Sequence, residues 1–292
     1  MLTAMATAFK DDGSVDLDGT AAIAAHLVAH GHDGVVVSGT TGESPTTTVA
    51  EDGQILAAVK DAVGDRAKVV AGVGTNATAH SIELARQAEK LGADGVLLVT
   101  PYYSKPSQAG VLHHFRLVAE ASGVPVMLYD VPGRTGTAIS LETYARAIEL
   151  ETVVAVKDAV GNYAHGVKVM AMGYALYSGD DVSTLGWLAH GASGVVSVAG
   201  HAAGDEIAGM IQAFLAGDHT GALATYTRLL PAFDAVMSVP NYGATTAKAA
   251  LQLLGVLDNR NVRAPLVPLD DDEVAALRVG LAASGLIPQG TA

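Results

Sequence analysis

No cysteine occurs among the 292 residues, which excludes disulfides, cysteine-ligated zinc and thiol nucleophiles, and fits a reducing compartment. Positive charge is scarce: 17 Lys+Arg stand against 30 Asp+Glu, and a net charge of -13 offers no basic footprint for a phosphate backbone. No nucleic-acid partner is expected. Long apolar runs are missing too. The longest stretch free of Asp, Glu, Lys and Arg, residues 182–204, is broken by Gly, Ser, Thr and two His, so no membrane span is expected. The first residues lack the apolar core of a secretion signal, and Phe9 runs straight into Lys10-Asp11-Asp12. A soluble cytoplasmic protein is the default expectation. What the chain does have is a hydrophobic content of 50%, ample for one large α/β domain or two small ones.

The pattern alternates between short β-branched runs and longer stretches of helical period. Runs ending as strands are predicted over 2–8, 34–38, 68–72, 95–100, 125–129, 153–158, 175–178 and 194–198. Helices are predicted over 16–30, 49–63, 81–91, 110–122, 141–150, 163–172, 182–190 and 204–215. Strands apolar on both faces belong to parallel sheets covered by helices, and eight such units in about 220 residues predict a (β/α)8 TIM barrel. Three similar turns, His32-Asp33-Gly34, Ala93-Asp94-Gly95 and Ala192-Ser193-Gly194, support the count, with the last glycine of each read as the one supplying turn freedom. After Gly217 only helical patterns follow, over 219–237, 244–254 and 271–284, with an extended segment from Asn259 to Pro268. The expected organisation is a barrel over residues 1–217 and an all-helical appendix, residues 218–292, packed on it, with no flexible linker between.

One lysine is out of keeping with its surroundings. Val153-Val154-Ala155-Val156-Lys157-Asp158 is an unbroken apolar run closed by an amine, while the other seven lysines fall where water is expected to reach them. A buried lysine loses part of its affinity for a proton, and a neutral amine is the nucleophile of Schiff-base chemistry. A strand-end lysine that snorkels to solvent is the other reading, and this segment alone leaves both open. In barrels of this class chemistry collects at the carboxyl ends of strands. The unusual residues fall there: Thr40 and Thr41 after the second strand, Tyr102 and Tyr103 after the fourth, Tyr129 ending the fifth, Lys157 ending the sixth, and Gly179-Asp180-Asp181 after the seventh.

Gly39-Thr40-Thr41-Gly42-Glu43, Tyr129-Asp130-Val131-Pro132-Gly133-Arg134-Thr135 and Val156-Lys157-Asp158 together resemble the dihydrodipicolinate synthase / N-acetylneuraminate lyase family of pyruvate-dependent class I aldolases. The resemblance covers nearly the whole chain. Within the family the Thr-Thr pair and the arginine are similar to the synthase branch, since sialic acid lyases typically carry Ser-Thr and lack the arginine. The resemblance implies condensation of pyruvate with aspartate semialdehyde through an imine on Lys157. It further implies a proton relay of Tyr129, Thr40 and Tyr103, the last reaching in from a neighbouring subunit. Thr41 and the loop amides would hold the pyruvate carboxylate, Arg134 the carboxylate of the second substrate, and Gly179 and Val196 would supply backbone contacts. No metal or organic cofactor is implied. A homotetramer built as a dimer of dimers is.

Departures from the family pattern are Ala8 in place of proline and Val160 in place of a small or polar residue after the lysine. At the positions of a lysine-inhibition site the resemblance aligns Val49, Asp52 and His80 while Ser44, Asn76 and Tyr102 remain; the acid that would meet an ammonium is gone, so weak or absent inhibition by lysine is expected. Other signals carry less. Gly72-Val73-Gly74-Thr75-Asn76-Ala77 lacks the last glycine and the distant acid of a dinucleotide loop. His26 and His30 share a helix face but have no third ligand, which points to a solvated face. Asp11 to Asp16 is too short for a calcium loop, Asp270 to Glu273 suits a helix start, and Glu43 is expected to brace the Gly-rich loop rather than act as an acid. Two other functions share parts of the pattern: a lyase or aldolase of a sugar acid such as 2-keto-3-deoxygluconate or N-acetylneuraminate, and a keto-acid binder without turnover.

Overall fold

The structure is a computed structural model that describes residues 1–239 and 242–289. The chain opens with strand β1 (Leu2–Ala4), helix α1 (Leu17–Ala29), β2 (Gly34–Val37), α2 (Val49–Val63), β3 (Lys68–Gly72), α3 (Thr78–Lys90) and β4 (Gly95–Val99). It continues with α4 (Gln108–Ala121), β5 (Val126–Asp130), α5 (Pro132–Thr135), α6 (Leu141–Ala147), β6 (Val153–Asp158) and α7 (Tyr163–Met170). β7 (Ala175–Ser178), α8 (Thr184–Ala189), β8 (Gly194–Ser197), α9 (Gly200–Leu215), α10 (His219–Val236), α11 (Ala244–Leu253) and α12 (Asp271–Ala283) complete it. The eight strands form a closed parallel barrel in chain order, with helices between them and further helices after it. This is the predicted (β/α)8 TIM barrel with C-terminal helices. Among the described residues no helix is long and apolar enough to cross a membrane.

The chain forms two compact units, residues 1–67 with 197–292, and residues 68–196. In the first unit, β1 and β2 pair in parallel from Leu2↔Gly34 to Ala4↔Val36. β1 stops four residues before the predicted end because side chains take over its donors: Ala6 N–H bonds His201 Nε2 at 3.1 Å and Ala8 N–H bonds Thr20 Oγ1 at 3.1 Å. α9 begins at Gly200 instead of 204, with a kink at Ala203 (φ -119, ψ 30) that the helical period alone does not reveal. α10 lies against α9 and α12, and α11 against both as well. Capping places the helix starts: Asp16 accepts from Gly19 N–H, Thr48 and Glu51 close a capping box on α2, and Asp270 and Glu273 close one on α12.

In the second unit, β3 to β8 pair in sequence, in the register Tyr129↔Lys157 between β5 and β6, and Lys157↔Tyr177 between β6 and β7. Side chains of Val96, Leu98, Val126, Leu128 and Val156 are fully buried, as a sheet covered on both faces requires. Two expectations change. The turn glycines in the left-handed region are Gly31, Gly92 and Gly191, two residues past the end of each helix, and not Gly34 and Gly95, which already sit in strands; Gly194 begins its strand too, with φ 157. The left-handed conformation is needed where the helix ends, three residues before the strand begins. His26 is not on a solvated face: it is half-buried, with Nε2 against the His201 carbonyl at 3.0 Å, while His30 is exposed and meets Asp205 at 2.7 Å.

Candidate active site

Lys157 stands one residue from the end of β6, where the apolar run carries it inside: the residue is only 4% exposed. The snorkelling reading is thereby removed. Register puts it beside Tyr129 on β5, and its Nζ lies 4.5 Å from the centre of the Tyr129 ring. Burial pushes the amine down to about 8; the Asp181 carboxylate pulls it back up, and the Arg134 guanidinium pushes it down further. At neutral pH roughly a tenth of the amine is then unprotonated, against ~0.04% for an ordinary lysine.

Gly179 is required by the amine's stem. Its N–H bonds the Asp158 carbonyl at 2.6 Å, and a Cβ there would lie 2.8 Å from that oxygen and 3.1 Å from Lys157 Cε. A side chain there would collide with the Asp158 carbonyl and press on the lysine stem. β7 and β8 pair Ser178 with Val195, and the same register carries Gly179 alongside Val196, which is fully buried. Asp181, 7% exposed, follows on the same loop. It belonged to the rim expected from the sequence but was given no role there; two acids in a row after a strand were the signal.

Arg134 is exposed on α5, a single helical turn that sequence period did not reveal because it is only four residues long. Pro132 starts the turn, and Gly136 in the left-handed region (φ 72) ends it. Buried Asp130 fastens the segment that follows: its Oδ2 accepts from Ile139 N–H at 3.1 Å and Tyr144 O–H at 3.0 Å. Burial, with the nearby Asp158 carboxylate, pushes Asp130 up to about 7. Asp158 is raised by burial as well, and its Oδ1 accepts from the N–H groups of Val160 and Gly161. These two acids, register partners behind Tyr129 and Lys157, lie outside the expected site residues. Tyr103 is 91% exposed, with φ 71, on the loop after β4.

The remaining expected residues belong to the first unit. Thr40 is exposed and Thr41 is 5% exposed, in the loop that leaves the carboxyl end of β2. Backbone hydrogen bonds from Glu43 N–H to Thr40 O at 3.1 Å and from Ser44 N–H to Gly39 O at 3.2 Å fold that loop, and the Thr7 hydroxyl holds Gly42 O at 2.9 Å. Glu43 is 2% exposed, and its carboxylate bonds Lys248 Nζ at 2.5 Å and Arg263 N–H at 2.9 Å. Lys248 itself is 1% exposed, which corrects the expectation that every lysine but Lys157 reaches water. Its ion pair with Glu43 lets α11 bury the ammonium, and the helical pattern of α11 gives no sign of a partner 205 residues away.

Among the described residues no group of three or more His, Asp and Glu side chains is arranged to hold a metal ion. Residues 1–284 match the dihydrodipicolinate synthetase family. The chain is 56% identical over 289 residues to the 4-hydroxy-tetrahydrodipicolinate synthase of Kineococcus radiotolerans, covering 99% of this chain and 94% of that one. Among solved structures it resembles the dihydrodipicolinate synthase of Cyanidioschyzon merolae with lysine bound, with TM-score 0.93, 40% identity and 98% of each chain covered. It also resembles the enzyme of Acinetobacter baumannii complexed with pyruvate, with TM-score 0.92, 33% identity and 98% of each chain covered. A buried strand-end lysine beside a tyrosine, together with a match along almost the full chain, makes this protein a member of the dihydrodipicolinate synthetase family.

Proposed function

We propose that the chain condenses pyruvate with L-aspartate 4-semialdehyde to give 4-hydroxy-tetrahydrodipicolinate, the entry reaction of lysine and diaminopimelate synthesis, as a lyase acting through a Schiff base. The observation that carries the reading is the amine of Lys157, buried, pushed down to about 8 and lying against the Tyr129 ring. Its neutral form attacks C2 of pyruvate, and loss of water leaves an iminium. The iminium acidifies the methyl group, so loss of a methyl proton gives an enamine. The enamine carbon bonds to the aldehyde carbon of the second substrate, whose oxygen takes up a proton. The amino group of that substrate then attacks C2, closes the ring and releases Lys157.

The other residues take the remaining roles. Tyr129, Thr40 and Tyr103 move protons to and from the reacting oxygens. Thr41 and the amides of its loop hold the pyruvate carboxylate. Arg134 clamps the carboxylate of the second substrate, for which an exposed planar guanidinium on a short, well-fastened turn is suited. Gly179 and Val196 line the lysine with backbone. Tyr103, held outward at 91% exposure in a left-handed conformation, serves the site of a second copy, in a homotetramer built from dimers.

The test is steady-state turnover of pyruvate with aspartate semialdehyde, set against cleavage of 2-keto-3-deoxygluconate and N-acetylneuraminate. Turnover of the semialdehyde at a kcat/KM at least about 10²-fold above either sugar acid is expected, a ratio within reach of a site built around a substrate carboxylate. Faster cleavage of a sugar acid would assign the site to the lyase branch instead.

A further inference from the structure

Glu43 is held in a conformation that a glutamate adopts only under compulsion. Its φ is +59°, in the left-handed region, and Ser38, at the other end of the same loop, has φ +51°. No glycine stands at either position, so the surroundings must dictate the shape. For Glu43 they are visible. The left-handed turn sends its side chain inward, where both carboxylate oxygens are taken up: Oε1 by Lys248 Nζ at 2.5 Å and Oε2 by the Arg263 N–H at 2.9 Å.

Lys248 is equally committed. Its ammonium donates to Glu43 and to the Asn261 carbonyl at 2.7 Å, and rests 4.2 Å over the Phe9 ring. The Arg263 guanidinium covers Phe9 at 4.4 Å and fastens the segment after the loop, bonding Thr46 O at 2.8 Å and both oxygens of Glu51 at 3.0 and 2.6 Å. α11 also begins against the loop. A Cβ added to Gly243 would stand 3.9 Å from the Thr41 hydroxyl. The helix therefore bonds the loop at Glu43 and starts close to Thr41, with the Thr40-Thr41 pair hanging from β2 on one side and from this buried ion pair on the other.

We propose that Lys248 is a positioning residue for the substrate carboxylate: through Glu43 it sets the conformation of the Gly39–Glu43 loop that presents Thr41 and its amides. This rests on the assignment of that loop to the pyruvate carboxylate. The C-terminal helices then contribute to the affinity for the first substrate, a role distinct from the imine chemistry of Lys157.

The double variant Glu43→Gln/Lys248→Met removes both buried charges and leaves no unpaired ion in the core, so it keeps the fold where Lys248→Met alone could lose it. Its KM for pyruvate should rise at least about tenfold, with the KM for aspartate semialdehyde within about twofold of the parent and kcat per trapped active site within about threefold. A role in folding alone would lower the trappable fraction and leave the pyruvate KM where it was, and that result overturns the proposal. Thr41→Val, measured beside it, keeps the two levels apart. If Thr41→Val leaves the pyruvate KM unchanged, the assignment of the loop is wrong; if it raises KM and the double variant does not, the role of Lys248 is wrong.

Discussion

Lys157 and Lys248 are both buried, and burial pushes both ammonium groups down to about 8. Under the proposed function only one of them, Lys157, meets a carbonyl compound. Lys248 has an ion pair, a backbone carbonyl and an aromatic face around it, so each proton of the ammonium has a partner. Lys157 lies at a strand end with a tyrosine ring beside it and a glycine kept clear of its stem, while Asp181 and Arg134 act on it through space. A depressed amine pKa is thus insufficient as a mark of a nucleophile. What separates the two is whether the surroundings satisfy the cation or leave the amine available.

The widest separation between the two lysines is expected from Lys157→Met and Lys248→Met, assayed in parallel. Lys157→Met should lose at least about 10⁴-fold in kcat, as removal of a covalent nucleophile does, while gaining resistance to urea because a buried cation whose desolvation outweighs its attractions is gone. Lys248→Met should lose about 3–5 kcal/mol of unfolding free energy, the cost of leaving Glu43 buried without its partner. Equal losses of stability in both would remove the distinction.

Tyr103→Phe comes next. A drop in turnover of about 10²-fold with the pyruvate imine still formed is the expected outcome, since a proton relay acts after the lysine has reacted. Loss of the imine as well would take Tyr103 out of the relay.

Smaller shifts should appear in the pH dependence of imine formation, which falls as pH drops below about 8 because the amine of Lys157 becomes protonated. The Asp181 carboxylate favours the ammonium, so Asp181→Asn should move the midpoint to lower pH; Arg134 opposes it, so Arg134→Ala should move it to higher pH. Stopped-flow measurement of pyruvate binding across pH 6–10 reads both, and shifts in the reverse sense would mean that other groups set the amine. The smallest effect concerns lysine as an inhibitor. With Val49, Asp52 and exposed His80 at the aligned positions, and Asp52 already accepting from the Thr47 hydroxyl at 2.8 Å, no inhibition is expected below about 1 mM lysine. A lower inhibition constant would show that another acid meets the ammonium.

The barrel was legible because its signals are local. Each strand is a short β-branched run, each helix has a period, and caps such as Asp16, Thr48 and Asp270 stand at the starts. Lys157 was legible for the same reason, as a charge closing an apolar run. Lys248 was not, because its burial depends on Glu43 and Arg263, and no local pattern announces a partner that far along the chain. The early end of β1 has a similar cause: Thr20 and His201 take donors that a strand would have used. Asp130 and Asp158 were passed over because a single acid at each strand end looks like an ordinary boundary. Only the register of β5 with β6 brings them together.

Borohydride reduction of the folded protein in the presence of pyruvate, followed by mass mapping of its peptides, addresses both lysines at once. The adduct should be found on Lys157 and be absent from Lys248, although the two amines are pushed to about the same value. An adduct on Lys248, or no adduct on either lysine in protein that is folded, would contradict the account.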